Sequence, residues 1–280
     1  MKLVRFGSEG SERPGVIIDG ILRDLSQHID DISGPFLSDE VIARLQQLDT
    51  SALPTVEGSP RLGPCVNNVS KLICIGLNYA DHAAEMGVDA PPYPDMFMKS
   101  TTAINGASDD IVMPRGSQKT DWEVELAFVI GKRAKNVLKK DALTHIAGYC
   151  IMSDISEREY QTKYKNDIKA KSFDTFAPLG PWLCTRDEVE DPQNLNMSVD
   201  VNGKRMQTGN TKTMIFGVAD IVEHLSMLMT LNPGDVISTG TPPGVGLGHK
   251  PPTFLKDGDF MEVQVEGLGM QKLTVRKHQD

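Results

Sequence analysis

The sequence predicts a mainly β fold with some α-helix, arranged as a β-sandwich or roll and not as a doubly wound sheet. Three observations support this prediction. Short β-prone runs outnumber helical patterns, Gly-containing turns join several of these runs, and no glycine fingerprint of the Rossmann type occurs. A chain of 280 residues has room for one large domain, or for a main domain with a small companion.

Residues 1–65 are predicted to form a small N-terminal α+β domain, and residues 66–280 the main domain. In the small domain KLVRF, PGVII and GILRDLS have the character of short strands, and DEVIARLQQL has helical spacing after Ser38. Residues 51–64 are rich in Pro, Gly and Ser, which is typical of a linker.

The main domain is predicted to combine many strands with a few helices. Helical spacing covers residues 79–86, 141–147, 156–166 and 218–228, and Ser156 is the predicted cap of the third helix. The predicted strands are KLICIG, MFMKS, WEVELAFVIG, GYCIMSD, LNMSVDVNG, DVISTG, FMEVQVEG and MQKLTVRK.

Composition limits the classes of function. A hydrophobic content of 39% predicts a sizeable core. The net charge of −9 and a pI near 5.2 argue against nucleic acid or an anionic membrane as a partner. The start of the chain lacks the apolar segment of a secretory signal, and the four cysteines lack zinc-type spacing. We therefore expect a reducing, cytoplasmic location and no membrane span.

The segment DWEVELAFVIG, residues 121–131, alternates acidic and apolar side chains and then becomes wholly apolar. In an extended chain Asp121, Glu123 and Glu125 lie on one side. Either water solvates that face, as on many antiparallel strands, or a cation balances the carboxylates. The apolar continuation, and Asp154 at the end of GYCIMSD, favour the cation. Oxygen ligands without Cys or His select a hard ion such as Mg²⁺ or Mn²⁺.

The segment NYADHAAEMG, residues 78–87, follows the predicted strand KLICIG. His82 and Glu85 share one face of its predicted helix, so the carboxylate can orient the imidazole as a general base that activates water. A surface His beside a surface Glu is the alternative. Gly87 and the Pro-rich stretch APPYP suggest mobile boundaries, which suit a lid.

Two further segments carry polar groups suited to an anionic substrate. Arg158 and Gln161 share a helix face beyond Asp154, and with Lys171 they could supply positive charge and hydrogen-bond donors. A charged, solvated helix is the alternative. The loop TGTPPGVGLG, residues 239–248, offers amides and threonine hydroxyls to a carboxylate, although a structural turn explains it equally well.

Taken together and in order, these segments resemble the fumarylacetoacetate hydrolase family. Seven motifs in family order are more specific than any single one. Within the family, KSFDTFAPLGPWL and TGTPPGVGLGHKPP most resemble the branch that acts on 2,4-diketo-3-deoxy sugar acids, whose members often carry ureidoglycolate lyase or dienedioate isomerase labels. The matching stretches are GLNYADHAAE, DWEVELAFVIG, SDISEREYQ, KSFDTFAPLGPWL, VNGKRMQTGNTKTMIF, LNPGDVISTGTPPGVG and FLKDGDFMEVQVEGLG.

The resemblance implies a mixed β-sandwich roll that is usually a homodimer. It also implies a Mg²⁺ or Mn²⁺ ion held by Glu123, Glu125 and Asp154. His82 and Glu85 would be the water-activating pair, on a lid that becomes ordered when substrate binds.

For the substrate, the resemblance implies that Lys171 holds or polarises it and that Thr241 contacts its carboxylate. Arg158 and Gln161 would lie close to the metal. Ala170 stands where the family usually has a glycine before the Lys-Ser pair, which leaves the placement of Lys171 open.

The resulting hypothesis is hydrolysis of the C3–C4 bond of a small anionic 2,4-diketo acid to pyruvate and a carboxylic acid. His82, oriented by Glu85, would deprotonate the water that attacks C4, and the cation and Lys171 would stabilise the enolate. The same residues could instead serve decarboxylation, isomerisation or ureidoglycolate cleavage. A metal-binding protein without turnover is a third hypothesis, but it gives His82, Glu85 and Lys171 no role.

Overall fold

The computed structural model describes residues 1–279 as a mainly β structure built on two large sheets. The strands are β1 (Lys2–Phe6), β2 (Arg13–Ile18), β3 (Ile21–Asp24), β4 (Leu72–Gly76), β5 (Asp95–Lys99), β6 (Ile104–Asn105), β7 (Ile111–Met113), β8 (Thr120–Asp121), β9 (Val124–Ile130), β10 (Ile146–Ser153), β11 (Ser156–Glu157), β12 (Ala177–Pro178), β13 (Leu183–Thr185), β14 (Asn196–Val201), β15 (Lys204–Asn210), β16 (Val236–Ser238), β17 (Phe260–Val265) and β18 (Gly269–Lys277). The α-helices are α1 (Asp39–Gln46), α2 (Ala80–Met86), α3 (Arg158–Tyr164), α4 (Asp167–Lys171) and α5 (Val218–Leu228).

The larger sheet has nine strands in the order β3-β2-β1-β13-β10-β9-β16-β4-β5. Its neighbours are antiparallel except for β16 and β4, which are parallel. Strand β1 pairs with β13, so the first three strands of the chain extend the same sheet that carries the strands of the main domain. The division into domains at residue 65 stays a prediction.

The second sheet has five strands in the order β15-β14-β17-β18-β7, and it packs against β9 and β10 of the larger sheet. Every residue of β9 and β10 is buried. This burial explains the apolar run AFVIG, because a strand covered on both faces has no polar side to alternate with. The predicted mainly β class is confirmed.

Two local predictions were wrong. Residues 141–147 do not form an α-helix: the segment Lys139–His145 is a 3₁₀ turn that leads directly into β10. Ser156 does not cap α3, because it lies in β11, where it pairs with Asp121 of β8 and donates its hydroxyl to the backbone oxygen of Asp154 at 3.0 Å. The cap is Glu157, whose carboxylate accepts from the amide of Glu159. None of the helices within residues 1–279 has the length and apolar content that crossing a bilayer requires.

Candidate active site

Strands β4, β5, β9 and β10 and the loop after β16 bring polar side chains to one cavity of about 280 Å³. Eight of the nine site residues predicted from the sequence line it: His82, Glu123, Glu125, Asp154, Arg158, Gln161, Lys171 and Thr241. The ninth, Glu85, lies behind His82. The structure therefore brings together residues that are up to 159 positions apart in the chain.

Three carboxylates form the floor of the cavity. Glu123 precedes β9, Glu125 is its second residue, and Asp154 follows β10, the antiparallel neighbour of β9. The amide of Asp154 donates to the backbone oxygen of Glu123 at 3.0 Å, which fixes the two residues side by side. All three side chains are buried, and their ligand oxygens lie within 4.8 Å of one another. Buried carboxylates at this spacing suit a hard divalent cation.

Two of these carboxylates are paired with buried cations. Glu123 accepts from Arg158 at 2.6 Å and from Lys171 at 2.7 Å, and Lys171 also donates to Asp154 at 2.6 Å. Burial alone would raise the pKa of Glu123, but the two cations prevail and lower it to about 2. The second oxygen of Asp154 accepts from Lys99 at 2.5 Å.

Among residues 1–279, no cation pairs with Glu125. Its Oε2 accepts from the Ser238 hydroxyl and from the amide of Gly240, the latter at 3.0 Å. Burial, and then the neighbouring charges of Asp154 and Glu123, raise the pKa of Glu125 well above its usual range. An added cation would remove this imbalance, so the donor set fits Mg²⁺ or Mn²⁺ with Glu123, Glu125 and Asp154 as ligands.

Asp121 lies behind the cavity and is fully buried, so water does not solvate it. Its carboxylate accepts from Arg158 at 2.8 Å, and from the amides of Gly246 and Leu247 at 2.6 and 3.0 Å. The strand that carries Glu123 is interrupted after Asp121, since β8 ends there and β9 begins at residue 124. Asp121 thus fixes the arginine and the loop that faces it.

His82 and Glu85 meet as the helical spacing predicts. Nδ1 of His82 lies 2.9 Å from Oε2 of Glu85, and the other Glu85 oxygen accepts from the amide of Gly244 at 2.9 Å. A carboxylate can only accept here, so it selects the tautomer with the proton on Nδ1. Nε2 is then the basic nitrogen, on a buried side chain that lines the cavity.

Thr241 lines the cavity, but its hydroxyl is already engaged. It donates to the backbone oxygen of Val124 at 2.9 Å and accepts from Nε2 of Gln207 at 2.9 Å. Gln207 also donates to the oxygen of Pro242 at 2.7 Å and accepts from the amide of Val124 at 3.0 Å. Gln207 therefore connects the strand of the carboxylates to the loop of Thr241.

Replacing Gln207 by Leu is expected to lower the free energy of unfolding by about 2–4 kcal/mol. The reason is that the buried amide of Val124 and the buried oxygens of Thr241 and Pro242 lose their hydrogen-bond partner. Urea denaturation measures the change. The matched control is Gln264→Leu, since Gln264 is exposed on β17. A Gln207 variant as stable as this control would contradict the bridging role.

The sequence reasoning missed Lys99 and Gln207. Lys99 ends the apolar run MFMK, and a lysine that closes such a run is a weak signal that it is buried against a partner. Gln207 gave no signal, because β15 was not predicted as a strand. Ala170 is buried directly before Lys171, and the lysine still reaches two carboxylates.

Comparison with known proteins identifies the family of this chain. Residues 71–276 match the model of the fumarylacetoacetate (FAA) hydrolase C-terminal domain. The chain belongs to the fumarylacetoacetate hydrolase family. A relative from Burkholderia lata, which its name describes only as a hydrolase, is 55% identical over 274 residues and covers 97% of each chain.

Solved structures in the family have the same fold. A fumarylacetoacetate hydrolase from Exiguobacterium antarcticum has a TM-score of 0.88 at 36% identity, over 99% of this chain and 100% of that one. A 2-hydroxyhepta-2,4-diene-1,7-dioate isomerase from Mycobacterium marinum has a TM-score of 0.77 at 31% identity, over 100% of both chains. A maleylpyruvate hydrolase from Sphingobium sp. SYK-6, in complex with manganese(II) and pyruvate, has a TM-score of 0.83 at 27% identity, over 100% of both.

Proposed function

We propose that the chain is a divalent-cation-dependent hydrolase that cleaves the C3–C4 bond of a 2,4-diketo acid, releasing pyruvate and a second carboxylic acid. The proposal rests on one observation: a candidate cation site and a candidate general base line the same cavity. Three buried carboxylates form a cation site, and a histidine held by a carboxylate at 2.9 Å supplies a base. The maleylpyruvate hydrolase structure, which holds manganese(II) and pyruvate, supports the pairing of a cation with this product.

The charges of the site explain why an acidic protein would take an acidic substrate. Four buried carboxylates, those of the metal site and Asp121, face three buried cations, Lys99, Arg158 and Lys171. A divalent ion changes the net charge of this group from −1 to +1. One substrate carboxylate then brings it to neutrality, which is the favourable state for a buried group.

In the proposed reaction His82 transfers the protons and Glu85 supports it. His82 accepts a proton from water at Nε2 as the water oxygen bonds to C4, and Glu85 stabilises the imidazolium through Nδ1. When the C3–C4 bond breaks, its electron pair passes into an enolate across C3, C2 and the C2 oxygen. A bound divalent cation supplies Lewis-acid stabilisation of this charge. His82 returns a proton to C3, which yields pyruvate.

Lys171 contributes a second positive group to the cavity. Asp154 and Glu123 hold its ammonium group protonated: they raise its pKa, although burial alone would lower it. A protonated lysine cannot act as the base, so we assign the proton transfer to His82. Lys171 orients and polarises the substrate, with Arg158, Gln161 and the backbone at Thr241 as further contacts.

Pyruvate release from a panel of acylpyruvates and 2,4-diketo sugar acids tests the proposal. We expect turnover with Mg²⁺ or Mn²⁺ and its loss in EDTA, with recovery when the metal is restored. The control is the same assay on oxaloacetate, on ureidoglycolate and on an enol diacid that can isomerise. Turnover of one of these without any cleavage of a diketo acid would leave the cation site in place but would refute the hydrolytic step.

A further inference from the structure

Positive charge is concentrated in one short part of this acidic chain. Residues 158–171 contain five basic and two acidic side chains, whereas the whole chain has 29 basic and 38 acidic ones. The segment forms α3 and α4, which supply four of the residues that line the cavity: Arg158, Gln161, Asp167 and Lys171. One wall of the cavity therefore carries a net charge opposite to that of the protein as a whole.

Three lysines of this segment are exposed and have no role in the proposed mechanism: Lys163, Lys165 and Lys169. Within residues 1–279 no acid forms a salt bridge with any of them. Lys163 and Lys169 stand two positions from Gln161 and Lys171, which line the cavity. Because two positions are about 200° around a helix, these two lysines point away from the cavity and into solvent.

An aromatic ring fixes two of the three ammonium groups. Nζ of Lys163 lies 5.2 Å from the centroid of the Tyr164 ring, and Nζ of Lys169 lies 4.7 Å from it. Both distances are in the range of a cation–π contact. The Tyr164 ring in turn lies 5.5 Å from the ring of Tyr160, centroid to centroid. The two charges are thereby held at one place on the surface of α3 and α4.

Lys165 adds the third charge at the turn between the two helices. Its backbone is left-handed, with φ of 48°, and its amide donates to the backbone oxygen of Gln161 at 2.9 Å. Glycine or asparagine adopts this conformation at a lower cost than lysine does. The turn by itself therefore does not account for a lysine at this position.

We propose that Lys163, Lys165 and Lys169 form a recruiting surface, which attracts the anionic substrate to the cavity by long-range electrostatic force. A net charge of −9 would otherwise repel an anion that approaches the protein. Clustered charge of the opposite sign beside a cleft raises the local concentration of the ligand and its rate of association. The inference rests on the proposed function and adds three residues that touch neither the bound substrate nor the cation.

The triple variant Lys163→Gln/Lys165→Gln/Lys169→Gln tests the recruiting surface. Its readout is kcat/KM for pyruvate release with Mg²⁺, on the monoanion 2,4-dioxoheptanoate and the dianion 2,4-dioxoheptanedioate. About one helix diameter, roughly 10 Å, separates the lysines from the cavity. At an ionic strength of about 10 mM we expect kcat/KM to fall about threefold for the monoanion and about tenfold for the dianion, since the interaction energy doubles with the charge. KM should rise and kcat should not change.

The matched control removes the same number of charges from the five-stranded sheet. Three lysines there are exposed and do not line the cavity, and all three are replaced by Gln: Lys204, Lys272 and Lys277. We expect this variant to lose less than about twofold in kcat/KM. At an ionic strength of about 1 M the two variants should become equal, because the Debye length is then only about 3 Å. Thermal unfolding establishes that both variants fold.

The outcomes separate this inference from the proposed function. A triple variant that loses no more than the control, or whose loss is the same at low and high salt, would refute the recruiting surface and leave the hydrolase standing. A fall in kcat would also overturn the inference, because charges that act only on the approach of the substrate leave the bound state unchanged.

If no diketo acid is cleaved, the proposed function fails, and the binding of oxalate decides the inference. Calorimetry with Mg²⁺ would measure the affinity of oxalate for the triple variant and for the control, at about 10 mM and about 1 M ionic strength. Weaker binding by the triple variant at low salt alone would support the recruiting surface. Equal affinities, or no binding to either variant, would overturn it.

Discussion

Replacing Glu125 by Gln is expected to abolish cation-dependent activity and yet to stabilise the metal-free protein, whereas Glu123→Gln is expected to abolish activity and destabilise it. The two residues stand on the same strand and supply the same ligand type. They differ in their neighbours. In the described part of the chain Glu125 accepts from neutral donors alone, while Glu123 is paired with Arg158 and Lys171.

The expected gain for Glu125→Gln is about 1 kcal/mol in EDTA, because the metal-free protein no longer has to bury this carboxylate next to Asp154 and Glu123 or to protonate it. Both hydrogen bonds can persist, since Ser238 and Gly240 donate to the same oxygen, which the amide retains. The expected loss for Glu123→Gln is about 3–5 kcal/mol, because an amide leaves one of two buried cations without its partner.

Urea denaturation in EDTA measures both changes, and Mn²⁺ titration measures cation affinity. We expect each variant to bind Mn²⁺ more than about 100-fold more weakly than the wild type. A residue that only supports a ligand contributes up to about 100-fold, and losing the ligand itself costs more. Wild-type affinity in both variants would refute the metal site. If the Glu125→Gln variant were destabilised, the charge of Glu125 would be compensated in the folded wild-type protein.

Replacing His82 by Asn is expected to lower kcat for diketo-acid hydrolysis by about 10²–10⁴-fold, the usual contribution of a positioned general base. Asn places an amide nitrogen near the position of Nδ1, so the contact with Glu85 can survive while the basic nitrogen is lost. Mn²⁺ affinity should not change, because His82 donates to none of the three carboxylates of the proposed cation site.

Glu85→Gln is the companion variant, and we expect a smaller loss, of about tenfold, since Gln still offers an oxygen to Nδ1 but no charge. Metal-dependent decarboxylation of oxaloacetate by the His82 variant would show that the cation site remains functional without the base. Hydrolysis at the wild-type rate in His82→Asn would assign the proton transfer to another group.

Much of the fold could be predicted because the signals are local. Alternation along a strand and the spacing of a helix involve neighbours in the chain, so α5 was found with its observed bounds and most strands of both sheets were found. The same holds for His82 and Glu85, which share a helix face. The 3₁₀ turn before β10 was missed because its spacing resembles that of an α-helix over so few residues.

By itself the sequence determined the mainly β class, the family and eight of the residues that line the cavity. Only the tertiary structure decided which carboxylate is compensated and which is not. Lys99 lies 55 positions from Asp154, and Gln207 lies 83 from Val124, so no spacing rule connects them. The energy of a buried charge depends on which groups the fold places around it, and the residue pattern along one strand does not predict those groups. For this reason Glu123 and Glu125, alike in sequence, differ in the structure.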